Sequence, residues 1–403
     1  MFWELIIAIL LGICAGIITG ITPGIHVNLV SVVLLTASPF LLQYSSLLSL
    51  AVFIVSMSIT HSYMDMIPST FLGVPDPDTV MGILPGHQLL MEGKGYEAVK
   101  LTVIGSYFSL LGGIVIVPLL IFIIPLIYDY IAAIIGWIIL FVVFFMILKE
   151  KSIEKKLWAF LIFGFSGVLG LIVLDFPNLR QPLLPLLSGL FGISGLLISL
   201  ANNVTPPQQR ITETIFVEPL VTAQALFAAV TSGWLTSMLP GLGSAQGAII
   251  SSTFFRNLGN YGYMILVGGI DTVNFLLSLV TLYTLERARN GAVIVIQELI
   301  PKISLSQIII IMCCALIVGS IAVFLCLGTT RIFAKLVERI PYSLLCWSVI
   351  LFIISLVTYF SGVHGLVVLI ISTALGMIPV LVGVGRNHSM GCLLVPVMIF
   401  FLV

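Results

Sequence analysis

The chain has 403 residues, of which 60% are hydrophobic and only 8% charged, and its mean hydropathy is +1.25. A water-soluble domain of this size could not solvate such a surface, so composition excludes one and defines an all-α, multi-pass membrane protein of the cell membrane. The formal net charge is zero and no basic tract exists, which leaves no basis for nucleic-acid binding.

The first apolar run, residues 5–21, has Glu4 as its only early charge and lacks the basic start of a secretory leader. It is expected to remain as a membrane segment. The next runs are residues 25–42, 47–66, 101–127, 131–148, 157–174 and 183–200. A hydrophilic stretch, NNVTPPQQRITETIFVEP at 202–219, then interrupts the pattern and has the Pro-Pro pair of a linker. Beyond it come runs at 220–238, 246–255, 263–285, 303–327, 344–360, 366–384 and 392–403. The division expected is a first transmembrane repeat at 1–200, a cytoplasmic linker at 201–218 and a second repeat at 219–403. A spanning helix needs about 20 residues, so several of these runs are short enough to be re-entrant. The six cysteines lie mostly in apolar runs without metal-type spacing and read as packing residues. No cofactor and no metal site is expected.

One phrase occurs twice. Gly16, Thr19, Pro23 and Gly24 in GIITGITPGIHVN recur at the same spacing as Gly233, Thr236, Pro240 and Gly241 in GWLTSMLPGLGSAQG. A Pro-Gly pair breaks a helix, and broken backbone at membrane depth is tolerated only where protein or a wet cavity surrounds it. Paired breaks in two halves point to the binding site of a carrier. Residues after each break, His26 and Asn28 in the first half and Gly243, Ser244 and Gln246 in the second, start a new helix. Its free N–H groups suit an anion. Close helix packing is the plainer reading of Gly243.

Loop charges give the sidedness. KEKSIEKK at 149–156 carries four lysines and is expected in the cytoplasm. Counting from it puts 87–100, the linker, 329–341 and Arg386 on the same side, and 175–182 and 361–364 outside. Each loop of the second half then falls opposite its first-half counterpart, as an inverted-topology repeat requires. ERARNG at 286–291 is discordant, being external with two arginines, unless it folds back into the protein.

Ionisable residues inside apolar helices need a reason. His61 and Asp65, spaced i,i+4, share a helix face ahead of Pro68 and the sequence PDPD at 75–78. They read as a substrate or ion site joined by Asp76, or as a buried hydrogen-bonded pair with Asp76 and Asp78 capping a loop. Asp271 and Asn274, spaced i,i+3 in the second half, carry the same two readings. Asp65, Asp76, Asp271 and Asn274 are the candidates for ion coupling. Pro23, Gly24, His26, Asn28, His61, Pro240, Gly241, Gly243, Ser244 and Gln246 are the candidates for binding solute. His87, His364 and His388 are expected in exposed or capping positions, and Arg256 as an anchor at the membrane edge.

PGI near the start, STFLGVPDPDTVMGILPGHQLLMEGKGYEAVKL, GWLTSMLPGLGSAQGA and LYTLERARNGA together resemble the TctA family, over nearly the whole chain. TctA is the large permease of tripartite tricarboxylate transporters, and the resemblance is strongest to its archaeal branch. It implies ion-driven uptake of carboxylates by alternating access, with a small membrane subunit and an extracytoplasmic solute-binding protein as partners. Bacterial members carry Gly-Gly-Ser-Ile-Pro where this chain has SYMDMIPST and keeps only Ile67-Pro68. The residues themselves leave two other functions open. One is a carrier of a phosphorylated polyprenyl lipid; the other is an intramembrane enzyme using His61 and Asp65, although no HExxH accompanies them.

Overall fold

The computed structural model describes residues 2–22, 27–73, 80–177, 179–201, 207–239, 242–255, 258–339 and 341–402, and no strand occurs among them. Among the described residues, eight helices are long and apolar enough to cross a membrane. The protein is therefore an all-α, multi-pass membrane protein.

The first half begins with α1 (Phe2–Ile21), α2 (Val27–Leu41), α3 (Leu47–Met64) and α4 (Met66–Leu72). Three glycines set how closely α1 lies on α3. A Cβ on Gly12, Gly16 or Gly20 would come within 2.6 Å of Ser56, Thr60 or Met64 respectively. The contacts advance together along both helices, so α1 and α3 run parallel, and α2 returns the chain between them. Ser46 caps α3, its hydroxyl accepting from the Ser49 N–H at 3.3 Å. Asp65 joins α3 to α4 at a tightened turn, and Pro68, lacking an N–H, cannot bond back to the turn before it.

After α5 (Ile83–Met91), the helical run α6 (Gly95–Leu148) covers 54 residues, about 80 Å if straight. Both its ends lie beside one element, α12 (described below). Near the start, Glu97 accepts from the Tyr261 hydroxyl at 2.5 Å, while Leu148 and Lys149 share a cavity wall with Asn260 and Tyr263. The run therefore doubles back, with Pro118 and Pro125 inside it, near the interruption between the apolar runs at 101–127 and 131–148. The half closes with α7 (Ile153–Leu174), α8 (Leu183–Leu187), a π-helical turn at Ser188–Ile193, and α9 (Ser194–Ala201).

The second half contains α10 (Pro219–Met238), α11 (Ser244–Phe254), α12 (Gly259–Leu285), α13 (Gly291–Leu299), α14 (Leu305–Arg339), α15 (Tyr342–Val382) and α16 (Gly391–Leu402). α15 is two helices meeting at Gly362, whose φ of 62° and ψ of −156° only glycine adopts without strain. Gly262 meets Val221, Gly269 meets Ala229 and Gly233 meets Val273, so α10 and α12 also run parallel. Exchange between halves is reciprocal: α12 packs on α6, and α3 packs on α14. Gly105 meets Ile265 and Gly113 meets Val273, so the first part of α6 is parallel to α12. Tyr63 accepts from Cys326, Phe71 lies 6.2 Å from Phe333, and Arg331 lies over Tyr96 while Leu110 meets Gly319. These contacts run α14 along α3 and against α6. Thus α1, α3 and α14 point one way, and α10, α12 and the first part of α6 the other.

α12 is buried through its most apolar stretch and α3 with α4 nearly so, which explains why these helices tolerate His61, Asp65, Asp271 and Asn274. The large exposed side chains, such as Phe122, Trp137, Phe324 and Leu381, belong to the outer helices and face lipid. Lysine-bearing loops collect at one end: Gln209 donates to Leu90 O at 3.0 Å, and Glu150 lies 3.0 Å from His388 Nε2. At the opposite end Ser361 donates to Arg180 O at 2.8 Å and His364 lies 5.4 Å from Phe176. His388 is buried by its pairing, contrary to its expected exposure. The discordant 286–291 stretch does fold back, because α13 buries Val293 and Ile296 against α2 and α3.

Candidate functional site

Two polar centres flank the crossing of α3 and α12, where Ser62 Oγ and Thr272 Oγ1 lie 3.3 Å apart. The threonine of the duplicated phrase belongs to both. Thr19 donates to Gly16 O at 3.2 Å, and Thr236 lies in the same relation to Gly233 O, also at 3.2 Å. Each also reaches the following long helix. Thr19 Oγ1 lies 3.1 Å from His61 Nδ1, and Thr236 Oγ1 lies 3.3 Å from Asn274 Oδ1. The repeated spacing thus records a repeated contact.

In the first centre, a Thr19 hydroxyl that donates to Gly16 accepts from His61 Nδ1–H. That leaves His61 Nε2 facing Asp65 Oδ2 at 4.0 Å, an ion-pair distance when the imidazole is protonated. Both side chains are buried. Thr19, His61 and Asp65 therefore form a compact buried unit in which an imidazole faces a carboxylate at ion-pair rather than hydrogen-bond distance.

The second centre is built from oxygens and amides. Ser244, first residue of α11, donates to Asp271 Oδ1 at 3.1 Å and accepts from Asn274 Nδ2 at 3.4 Å. Gln246 Oε1 accepts from the Gly243 N–H at 2.9 Å, a capping arrangement that fixes the start of the helix. Beside this centre lies a cavity of about 510 Å³ whose polar wall includes Asn28, Thr236, Gly243, Gln246, Asn274 and Arg289. Leu242, Leu393 and Phe400 supply apolar wall. Asn28, which follows the first break, and Gly243 and Gln246, which follow the second, thus share one space. Asp271 sits behind Ser244, and His61 and Asp65 are not among the cavity's described lining residues.

Arg289 is the residue that sequence reasoning passed over. Its Nη2 donates to the Tyr128 hydroxyl at 2.6 Å and its guanidinium stands 5.7 Å from the Tyr128 ring centre. Arg287 stacks on the same ring at 5.8 Å but is exposed. The signal was present in ERARNG, where two arginines contradict the charge rule for that side. Of the residues expected at the site, Pro23, Gly24, His26, Asp76, Pro240 and Gly241 lie outside the described residues, as do Asp78 and Arg256.

A multi-pass helical protein whose interrupted helices meet in an internal, hydrogen-bonding cavity has the build of a membrane permease. The chain belongs to the tripartite tricarboxylate transporter TctA family, whose family model matches residues 6–391. An uncharacterized protein of Methanocaldococcus jannaschii is 28% identical over 404 residues, covering 98% of each chain. No solved structure matches this chain.

Proposed function

We propose that this permease carries an anionic organic solute, a di- or tricarboxylate, and is driven by a proton or sodium gradient through alternating access. The observation that carries this reading is the shared cavity, where the residues after both helix breaks meet Arg289. A carboxylate there would gain a charge-assisted hydrogen bond from Arg289 and the free N–H groups at the start of α11. Amide side chains of Asn28, Gln246 and Asn274 would orient its remaining oxygens. His61 and Asp65, buried apart from that cavity, suit the coupling ion, with Asp271 behind Ser244 as a second acid.

The two halves are read as inverted repeats. Equivalent helices α1 and α10, and α3 and α12, point in opposite directions, and each half packs on the other half's long helix. That arrangement lets one hairpin rock against the other about the crossing of Ser62 and Thr272. Within the family's tripartite scheme, a small membrane subunit and an extracytoplasmic solute-binding protein would deliver solute to the end bearing Arg289. The test is uptake of labelled citrate and succinate into proteoliposomes under imposed proton or sodium gradients. Gradient-dependent accumulation of either acid supports the reading. Binding of neither acid, in any gradient, would overturn it.

A further inference from the structure

A second, larger cavity lies at the lysine-rich end and takes no part in the site above. Its volume is about 750 Å³, and it opens between the end of α6, the start of α12, the α5 segment and the turn at Arg386–Met390. Phe145, Leu148, Phe191, Phe255, Leu258 and Tyr263 make most of its wall apolar and aromatic. Two cations, Lys149 and Arg386, stand in that wall. Among the described residues no carboxylate forms an ion pair with either. The nearby Glu150 is engaged elsewhere, by His388 Nε2 at 3.0 Å and the Gly385 N–H at 3.3 Å.

Arg386 is held in place by its surroundings. Its Nη2 donates to the carbonyls of Leu190 and Phe191, each at 3.1 Å, and to Ser194 Oγ at 2.5 Å. Those carbonyls belong to the π-helical turn, whose wider pitch offers acceptors to a side chain. Arg386 Nε is buried with no hydrogen-bond partner among the described residues. A buried, unneutralised guanidinium is costly, and an anion is the partner that removes the cost.

We propose that this cavity binds one anionic phospholipid from the leaflet on the lysine-rich side. The phosphate would sit between Lys149 and Arg386, and the first part of an acyl or isoprenoid chain would lie on the aromatic wall. The match is of charge and polarity together. A small, fully hydrated carboxylate has no use for so apolar a wall, whereas a lipid fills both parts. Basic residues at this depth favour anionic headgroups by about fivefold per charge. Asn260 and Gln88, whose side chains bond to each other at 3.2 Å, lie on the same wall and offer polar atoms beside the headgroup.

Native mass spectrometry of the full-length protein, released from detergent after equilibration with phosphatidylglycerol or phosphatidylcholine, tests this. One tightly retained phosphatidylglycerol is expected, with phosphatidylcholine lost. Lys149→Gln should lower its retention about fivefold, and Arg386→Gln further, while Arg180→Gln at the opposite end should change nothing. Arg386 also holds the π-helical turn, so Lys149→Gln and the cavity-filling, charge-neutral Asn260→Phe keep the test decisive if Arg386→Gln does not fold. Equal retention of both lipids would overturn the proposal, as would a Lys149→Gln protein indistinguishable from the parent. Displacement of the lipid by inorganic phosphate or citrate at comparable concentration would also overturn it, identifying the cavity as a small-anion site instead.

Discussion

The two polar centres on either side of the α3–α12 crossing start from the same threonine in the same phrase and end in different chemistry. Thr19 reaches an imidazole that faces a carboxylate, and the whole unit is sealed in protein. Thr236 reaches a carboxamide that faces a cavity and an arginine. The same spacing accompanies similar local geometry in both, but the first centre pairs an imidazole with a carboxylate, whereas the second joins a carboxylate to hydroxyl and amide groups. The difference suggests a division of labour in which the first centre holds the coupling ion and the second holds solute. Each prediction below is chosen to separate those two roles.

The largest effect is expected from Asp65→Asn. Gradient-driven accumulation of solute should be abolished, while counterflow exchange between equal pools of solute should survive. Equal loss of both would make Asp65 a structural or solute-contacting residue and dissolve the division. Arg289→Gln is expected to do the reverse. Losing one charge-assisted hydrogen bond of about 1.5–3 kcal/mol should raise KM by about ten- to a hundredfold, with the accumulation ratio at saturating solute retained. Arg289→Lys should fall between, since a lysine keeps the charge but not the planar fork. An unchanged KM in Arg289→Gln would remove the arginine from the site.

Much of this was legible in the sequence, for identifiable reasons. The duplicated Gly-Thr-Pro-Gly phrase was visible as a repeated spacing, whereas what its residues touch, Thr60 for Gly16 and His61 for Thr19, lies far along the chain and was not. The buried acids of α3 and α12 stood out because lipid tolerates so few. What escaped notice depended on long-range closure. Arg289 belongs to the site only because α13 folds back and brings it beside Asn28, 261 positions earlier in the numbering (289 − 28). Arg386 was legible as a charge in a loop, but its seat against the π-helical turn arises from an irregularity in a helix almost 200 residues away, which no local pattern announces. His388 was misplaced for the same reason, its partner Glu150 being distant in sequence.

Close packing of the two hairpins can be tested without reference to transport. Gly16→Val would set new atoms within 2.6 Å of Thr60 and Met57, where backbone cannot yield, whereas Gly164→Val meets nothing within 4 Å of its Cβ. Overpacking of this kind costs about 1–3 kcal/mol. The Gly16 variant should melt several degrees below the parent in detergent and the Gly164 variant should match it. Gly233→Val, facing Val273, should behave like Gly16→Val if the two hairpins are equivalent in packing as well as in sequence.

The smallest effects should be the most discriminating, because they come from one matched pair. Thr19→Val and Thr236→Val each replace a hydroxyl by a methyl of nearly the same shape, so helix contact is preserved. Besides its bond within its own helix, each removes one buried bond to the following helix, worth about 1 kcal/mol, or roughly fivefold in an equilibrium. Thr236→Val frees Asn274 Oδ1 beside the cavity, so its fivefold should appear in KM, with the coupling ratio of ion to solute intact. Thr19→Val frees His61 Nδ1 in the sealed centre, so KM should hold while accumulation at a fixed gradient falls. Measuring both parameters in both variants gives four numbers, and the proposal requires large changes in only the two diagonal ones. If both variants altered KM alike, the two centres would be halves of a single solute site. The imidazole and carboxylate of the first half would then contact the substrate directly.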